Sequence, residues 1–304
     1  MTQLLNALPG ALAQGLIWGV MAIGVYITYK VLDIADLTVD GSICTGAAVC
    51  TMLLLGGQSP WLALLCAVLA GVLAGAVTGL LHVGLGIPPI LAGILTQMGL
   101  WSVNLKLLGK ANQALPARTT PVLLSQMDVG GALPVLLGFC VVLVALLVLF
   151  FGTELGCALR ATGCNPVMSR AQGVNTGLMK VIGLALSNGV VALSGALLCQ
   201  YQGYTDVNMG RGAVVIGLAA VVIGQAVLGR RGGRMAVQLG GVILGAVIYY
   251  IVYQVIIFAG FDTDLLKMFS AVVVAVFLGA PHVKAQLKAH SRSKKGDSGH
   301  AENE

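Results

Sequence analysis

The chain has 304 residues, a formal net charge of +6, 58% hydrophobic residues and only 9% charged ones. Soluble domains carry roughly 25% charged residues, so this composition, with a mean hydropathy of +0.94, excludes a water-soluble fold and fits a chain dissolved in lipid. The positive charge falls in particular loops and is not interleaved with aromatic residues, which argues against nucleic-acid binding.

The opening MTQLLNALPGALAQGLIWG has no basic leader and no small-residue cleavage site, so it reads as a retained first span rather than a signal peptide. A membrane helix needs about 20 mostly apolar residues. Runs of that kind occur at 11–29, 42–56, 61–83, 88–108, 132–151, 178–200, 212–229, 235–259 and 267–281. Those at 42–56 and 267–281 are short, and are expected to be tilted or partly re-entrant. The expected architecture is an all-α, polytopic integral membrane protein with about 8–10 transmembrane helices, some of them short or broken. Residues 1–281 then form a single transmembrane domain, followed by a polar, disordered cytoplasmic tail at 282–304. Glycine, at 42 of 304 residues, is about twice its usual ~7% and suits close helix packing.

Lysine and arginine favour the cytoplasmic side. With the loop 152–177 placed inside, 12 of the 17 basic residues fall inside and 5 outside, so the N-terminus is expected outside and the C-terminus inside. The seven cysteines form no CxxC and read as reduced, small hydrophobes. DLTVDGSICTGAAV (Asp36–Val49) echoes DVNMGRGAVVIGLAAV (Asp206–Val221), each an acid, then glycine, then a small-residue apolar helix. Gly41 to Gly46 repeats the spacing of Gly212 to Gly217, and repeats of this kind are common in transport folds.

Three stretches hold candidate functional residues. In TELGCALRATGCNPVMSRAQGVNT (Thr153–Thr176), Asn165 can cap a helix, Pro166 suits its first position, and Gly173 suits the left-handed residue after its end. A short helix at about 166–172 follows, with Asn175 or Thr176 able to cap the next span; such a knob in a loop suits docking to another protein. In VLDIADLTVDGSICT (Val31–Thr45), the acids Asp33, Asp36 and Asp40 are costly in lipid, so they are expected at an interface or in a wet cavity. Asp40 or Ser42 can cap the short helix that follows. The third group is scattered: Gln97, Asn104, Asn188, Gln200, Asp206 and Asn208 either bond helix to helix or line a pathway, together with Asp36, Asp40 and Ser42. Trp101, Tyr201 and Tyr204, near span ends, read as interface anchors. His82, His282, His290 and His300 do not cluster with acids or thiols, no metal site is implied, and no enzyme constellation stands out.

LRATGxNPxxxRAxGxN, read at Leu159–Asn175, resembles the cytoplasmic coupling loop of ABC importer permeases of the branched-chain amino acid and ribose type. Gly15–Ser42, Gly86–Gly109 and Asp206–Gly224 are similar to further parts of that family, so the resemblance covers about residues 11–281. It implies a permease subunit in the bacterial inner membrane, pairing as a homodimer. Its partners would be a cytoplasmic ABC ATPase that holds the ATP and magnesium and an extracytoplasmic solute-binding protein. Arg160, Asn165, Pro166, Arg170, Gly173 and Asn175 carry over to the ATPase contact, while Cys164 stands where the family often has an acid. The chain lacks a GxxxxGK[ST] phosphate loop, so it is expected to bind no nucleotide or other cofactor and to catalyse no bond change. The solute would be small and polar, an amino acid by the look of DLTVDGS, moved by alternating access. Two other readings stay open: a secondary transporter driven by an ion gradient, and a membrane assembly protein that transports nothing.

Overall fold

The computed structural model describes residues 2–116, 120–228 and 234–258, with positions 272 and 275 in addition. The expected span 267–281, the tail 282–304, and Arg118, Arg230 and Arg231 lie outside the described residues, apart from those two positions. The elements in order are α1 (Thr2–Tyr26), continued by a π-helical turn (Ile27–Val31), α2 (Val39–Leu55), α3 (Pro60–Gly84), α4 (Pro89–Leu108), β1 (Asn112–Ala114), α5 (Val129–Gly152), α6 (Glu154–Cys164), α7 (Pro166–Ala171), α8 (Thr176–Gln202), β2 (Tyr204–Asp206), α9 (Ala213–Leu228) and α10 (Met235–Phe258).

Eight of these helices coincide with the first eight apolar runs. Six helical stretches among the described residues are long and apolar enough to cross a bilayer: Ala7–Val31, α3, α4, α5, α8 and α10. Helices α2 and α9, with 17 and 16 residues, are shorter. Each is entered by a bend: Asp33, at φ +56°, turns the chain before α2, and Gly212, at φ +85°, turns it before α9.

The first helices of the two halves, α1 and α8, exchange places. α1 packs on α9 and α10, which follow it by most of the chain, while α8 packs on α2 and α3. α1 and α8 run antiparallel, with Ser187 meeting Gly24 and Ser194 meeting Ile17, and the contacts of α1 with α9 and α10 mirror those of α8 with α2 and α3. Such a contact pattern fits an inverted repeat, and the echoing segments 36–49 and 206–221 lie at corresponding places, the starts of α2 and α9. Small residues let the halves interlock. A Cβ at Gly46 in α2 would overlap the backbone of Ala192 in α8, and one at Gly217 in α9 would crowd Val25 of α1. Side-chain bonds tie the same contacts: Ser187 Oγ donates to the Gly24 carbonyl at 2.8 Å and Ser194 Oγ to the Ile17 carbonyl at 2.7 Å.

Outside this centre, α3 and α5 turn Leu65, Leu69, Leu73, Val141, Leu146 and Leu149 outward. Such continuous apolar faces are at ease only in hydrocarbon. At one end of the bundle β1 and β2 pair antiparallel, Asn112 opposite Asp206 and Ala114 opposite Tyr204. At the other end α6 and α7 lie against the π-helical turn and the start of α8. The described basic residues divide unevenly between these ends. Lys106, Lys110 and Arg211 lie on the ribbon end, and Lys30, Arg160, Arg170, Lys180 and Arg234 on the α6–α7 end.

Candidate functional site

The loop 152–177 is built as the pattern of its caps predicts. Asn165 Oδ1 accepts from the amides of Val167 and Met168 at 3.1 and 3.0 Å, Pro166 opens α7, and Gly173 takes φ +83° beyond its end. Asn175, rather than Thr176, caps α8 through a 3.1 Å bond from the Leu178 amide. The side chain of Arg170 donates from Nε to Thr176 Oγ1 at 2.8 Å, and Arg160 donates from Nη2 to the Phe151 carbonyl at 3.0 Å. The polar residues carried over to the docking loop therefore spend these bonds on its shape. Facing outward instead are two apolar side chains that pattern reading passed over, Val167 at 76% and Met168 at 63% exposed. Helix α6 also went unseen; Thr153 caps it through the Gly156 amide at 3.3 Å. It packs closely on the π-helical turn, for a Cβ at Gly163 would collide with the Val31 carbonyl.

From that turn the chain rises to a polar cluster inside the bundle. Asn188 Nδ2 donates to Asp36 Oδ2 at 2.7 Å and to the Leu184 carbonyl at 2.9 Å, and Ser42 Oγ donates to Asn188 Oδ1 at 2.6 Å. Asp36 Oδ1 accepts from the Thr38 amide at 2.8 Å. Asp36, expected at an interface or in a wet cavity, is instead 5% exposed and matched entirely by protein donors. Ser42 caps no helix, and Asp40 does not cap its own. Its carboxylate reaches across to accept from the amides of Gly212 and Val214, each at 3.0 Å, and so caps α9. The two echoing segments thus meet at their helix starts.

Asp40 also lines a cleft of about 470 Å³ between α2, α4 and the turn before α9, together with Gln97, Trp101, Asn104, Val207 and Arg211. Of the nine expected pathway residues, this cleft gathers Asp40, Gln97 and Asn104. Asp36, Ser42 and Asn188 form the separate buried cluster. Gln200 is buried too, with Oε1 accepting from the Leu123 amide at 3.0 Å and Nε2 donating to Cys50 Sγ at 3.4 Å. Asp206 and Asn208 flank Val207 at the rim, where Asp206 Oδ1 accepts from the Asn208 amide at 2.6 Å. One expected anchor is corrected: Tyr201 is core, with its hydroxyl near Gly10, whereas Trp101 keeps an exposed face in α4 and also stands on the cleft wall.

The sequence profile of the family described as branched-chain amino acid transport system / permease component matches residues 8–280. The chain belongs to this family. The permease is 37% identical over 287 residues to the tyrosine transport system permease protein of Clostridioides difficile, covering 93% of this chain and 94% of that one. It is 33% identical to an uncharacterised protein of Rickettsia prowazekii over 91% and 98% of the two chains. It is 30% identical to the autoinducer 2 import system permease protein of Escherichia coli over 67% of this chain and 60% of the relative. No solved structure matches the permease. The chain is a multi-pass membrane permease of an ABC importer, a transport subunit rather than an enzyme, and its family works with ATPase and binding-protein partners.

Proposed function

We propose that the permease imports an amino acid by alternating access, as a homodimer in the bacterial inner membrane. A cytoplasmic ABC ATPase docks on the α6–α7 end, and an extracytoplasmic solute-binding protein on the ribbon end. The N-terminus lies outside and the C-terminus inside. The single observation that carries the coupling is α7 itself, a six-residue helix capped by Asn165 and followed by Gly173, holding Val167 and Met168 out of the membrane domain. Apolar side chains held rigidly in this way suit a pocket on a partner rather than water. The excess of basic residues on the same end supports its cytoplasmic placement. The amino-acid reading is supported by the tyrosine permease, to which the likeness runs nearly end to end.

Drive by ATP rather than by an ion gradient is supported by the acids. Asp36 and Asp40 are both engaged by fixed donors, which leaves neither poised for exchange. The test is uptake of labelled L-tyrosine and L-leucine by cells carrying the complete importer. ATP depletion should stop uptake, and a protonophore with ATP maintained should leave it intact. The reverse result overturns the reading.

A further inference from the structure

The cleft between α2 and α4 contains a polar atom that the fold does not use. Asn104 is 1% exposed and lines the cleft; its Nδ2 faces the Gly41 carbonyl at 3.5 Å, and its Oδ1 has no hydrogen-bond partner among the described residues. Turning the amide over would set oxygen against oxygen at Gly41, so the acceptor remains the free end. Buried polar atoms are nearly always paired. An unpaired acceptor on the wall of a cleft marks a place where a donor arrives.

The surrounding groups narrow what that donor is. Asp40 keeps a carboxylate on the same wall, and the amides of Gly212 and Val214 occupy one lone pair on each of its oxygens. Arg211 stands at the exposed side of the cleft, and its guanidinium has no hydrogen-bond or ion-pair partner among the described residues. A cation is therefore favoured at Asn104 and Asp40, and an anion at Arg211. The α9 amides cannot take the anion, because Asp40 already covers them. A plain amine would leave Arg211 unanswered, an anion alone would meet Asp40, and an uncharged sugar could hydrogen-bond to both groups but would neutralise neither charge. Trp101 and Met98 add an apolar wall. The volume, about 470 Å³, falls in the range of roughly 300–1,000 Å³ usual for small-molecule sites.

We infer that this cleft is a binding station for a zwitterionic α-amino acid, with the ammonium on Asn104 Oδ1 beside Asp40, the carboxylate on Arg211 and the side chain against Trp101. The assignment rests on the amino-acid reading above and goes beyond it by naming the groups that select the solute. Trp101 is the one large ring on the wall among the described residues, so flat or aromatic side chains gain most there.

The test uses the full importer in proteoliposomes, with L-tyrosine, tyramine (which lacks the carboxylate) and 3-(4-hydroxyphenyl)propionate (which lacks the ammonium) as probes. The parent should carry tyrosine and exclude both analogues. Asn104→Leu should lower tyrosine uptake about tenfold, the loss of one hydrogen bond to a charged group. Arg211→Gln should shrink the preference for tyrosine over tyramine by about tenfold. Asn104→Asp, close to isosteric, guards against a misfolded leucine variant. It keeps an acceptor and adds charge, so it should raise tyramine uptake. If the parent carries tyrosine and all three variants match its rates and preferences, the station is overturned while the importer reading stands. If the parent couples ATP hydrolysis to no amino acid, both fall.

Discussion

Asp40 and Gly212, 172 positions apart, share a 3.0 Å hydrogen bond in which the Gly212 amide donates to Asp40 Oδ2. Through it the first turn of α2 caps the start of α9, and the positive ends of both helices meet around one carboxylate.

Removing that cap should therefore act at a distance. Asp40→Ala should lower the stability of the detergent-solubilised permease by about 0.5–2 kcal/mol, the range for losing a helix cap. Asp40→Asn retains one acceptor and should lose less. Thermal unfolding followed by tryptophan fluorescence, with both variants beside the parent, measures the order.

The Asp36–Asn188–Ser42 cluster should behave as a unit. Asn188→Leu strands donors and acceptors on two neighbours, at about 1–3 kcal/mol for each buried group left unpaired. Ser42→Ala in that background should then have little further effect, although alone it is destabilising, because residues in one network are not additive. A double-mutant cycle on thermal stability decides it; simple additivity would break the cluster into independent contacts.

On α7, Val167→Asp together with Met168→Asp should release the ATPase while the permease keeps its thermal midpoint, since both side chains already face outward. Arg170→Glu should also weaken coupling, but through loss of the Thr176 bond that fixes α7, so Arg170→Gln should restore part of it. Co-purification of the ATPase with each variant separates contact from support.

Close packing of the halves predicts a contrast between two glycines. Gly46→Ala drives a methyl into the Ala192 backbone and should cost about 1–3 kcal/mol by overpacking. Gly84→Ala meets open space and should be near neutral. Yield and unfolding temperature of the two proteins give the comparison.

Long apolar runs made the spans legible: 61–83 became Pro60–Gly84, and 178–200 became Thr176–Gln202. Local caps were legible too, because Asn165 and Asn175 act within three residues of themselves. What the sequence concealed was long-range. The partner of Asp40 lies in another helix start, and the role of Trp101 depends on which elements pack beside α4. The β1–β2 ribbon joins two loops with four helices between them in the chain. Helix α6 was hidden by its mixed glycine, cysteine and arginine composition, which carries no long apolar run. The short helix was legible, but which of its side chains face outward was not, so Val167 and Met168 stood out only once α7 was packed.

The exchange of α1 and α8 between the halves has a consequence for biogenesis. The ribosome releases α1 long before α9 and α10 exist, and Asp36 enters the membrane well ahead of Asn188. Until the second half is synthesised, the nascent chain carries an acid without its mate and helices without their neighbours. Insertion must hold these segments in waiting, and a chain truncated before Thr176 should be recognised as unfinished and degraded.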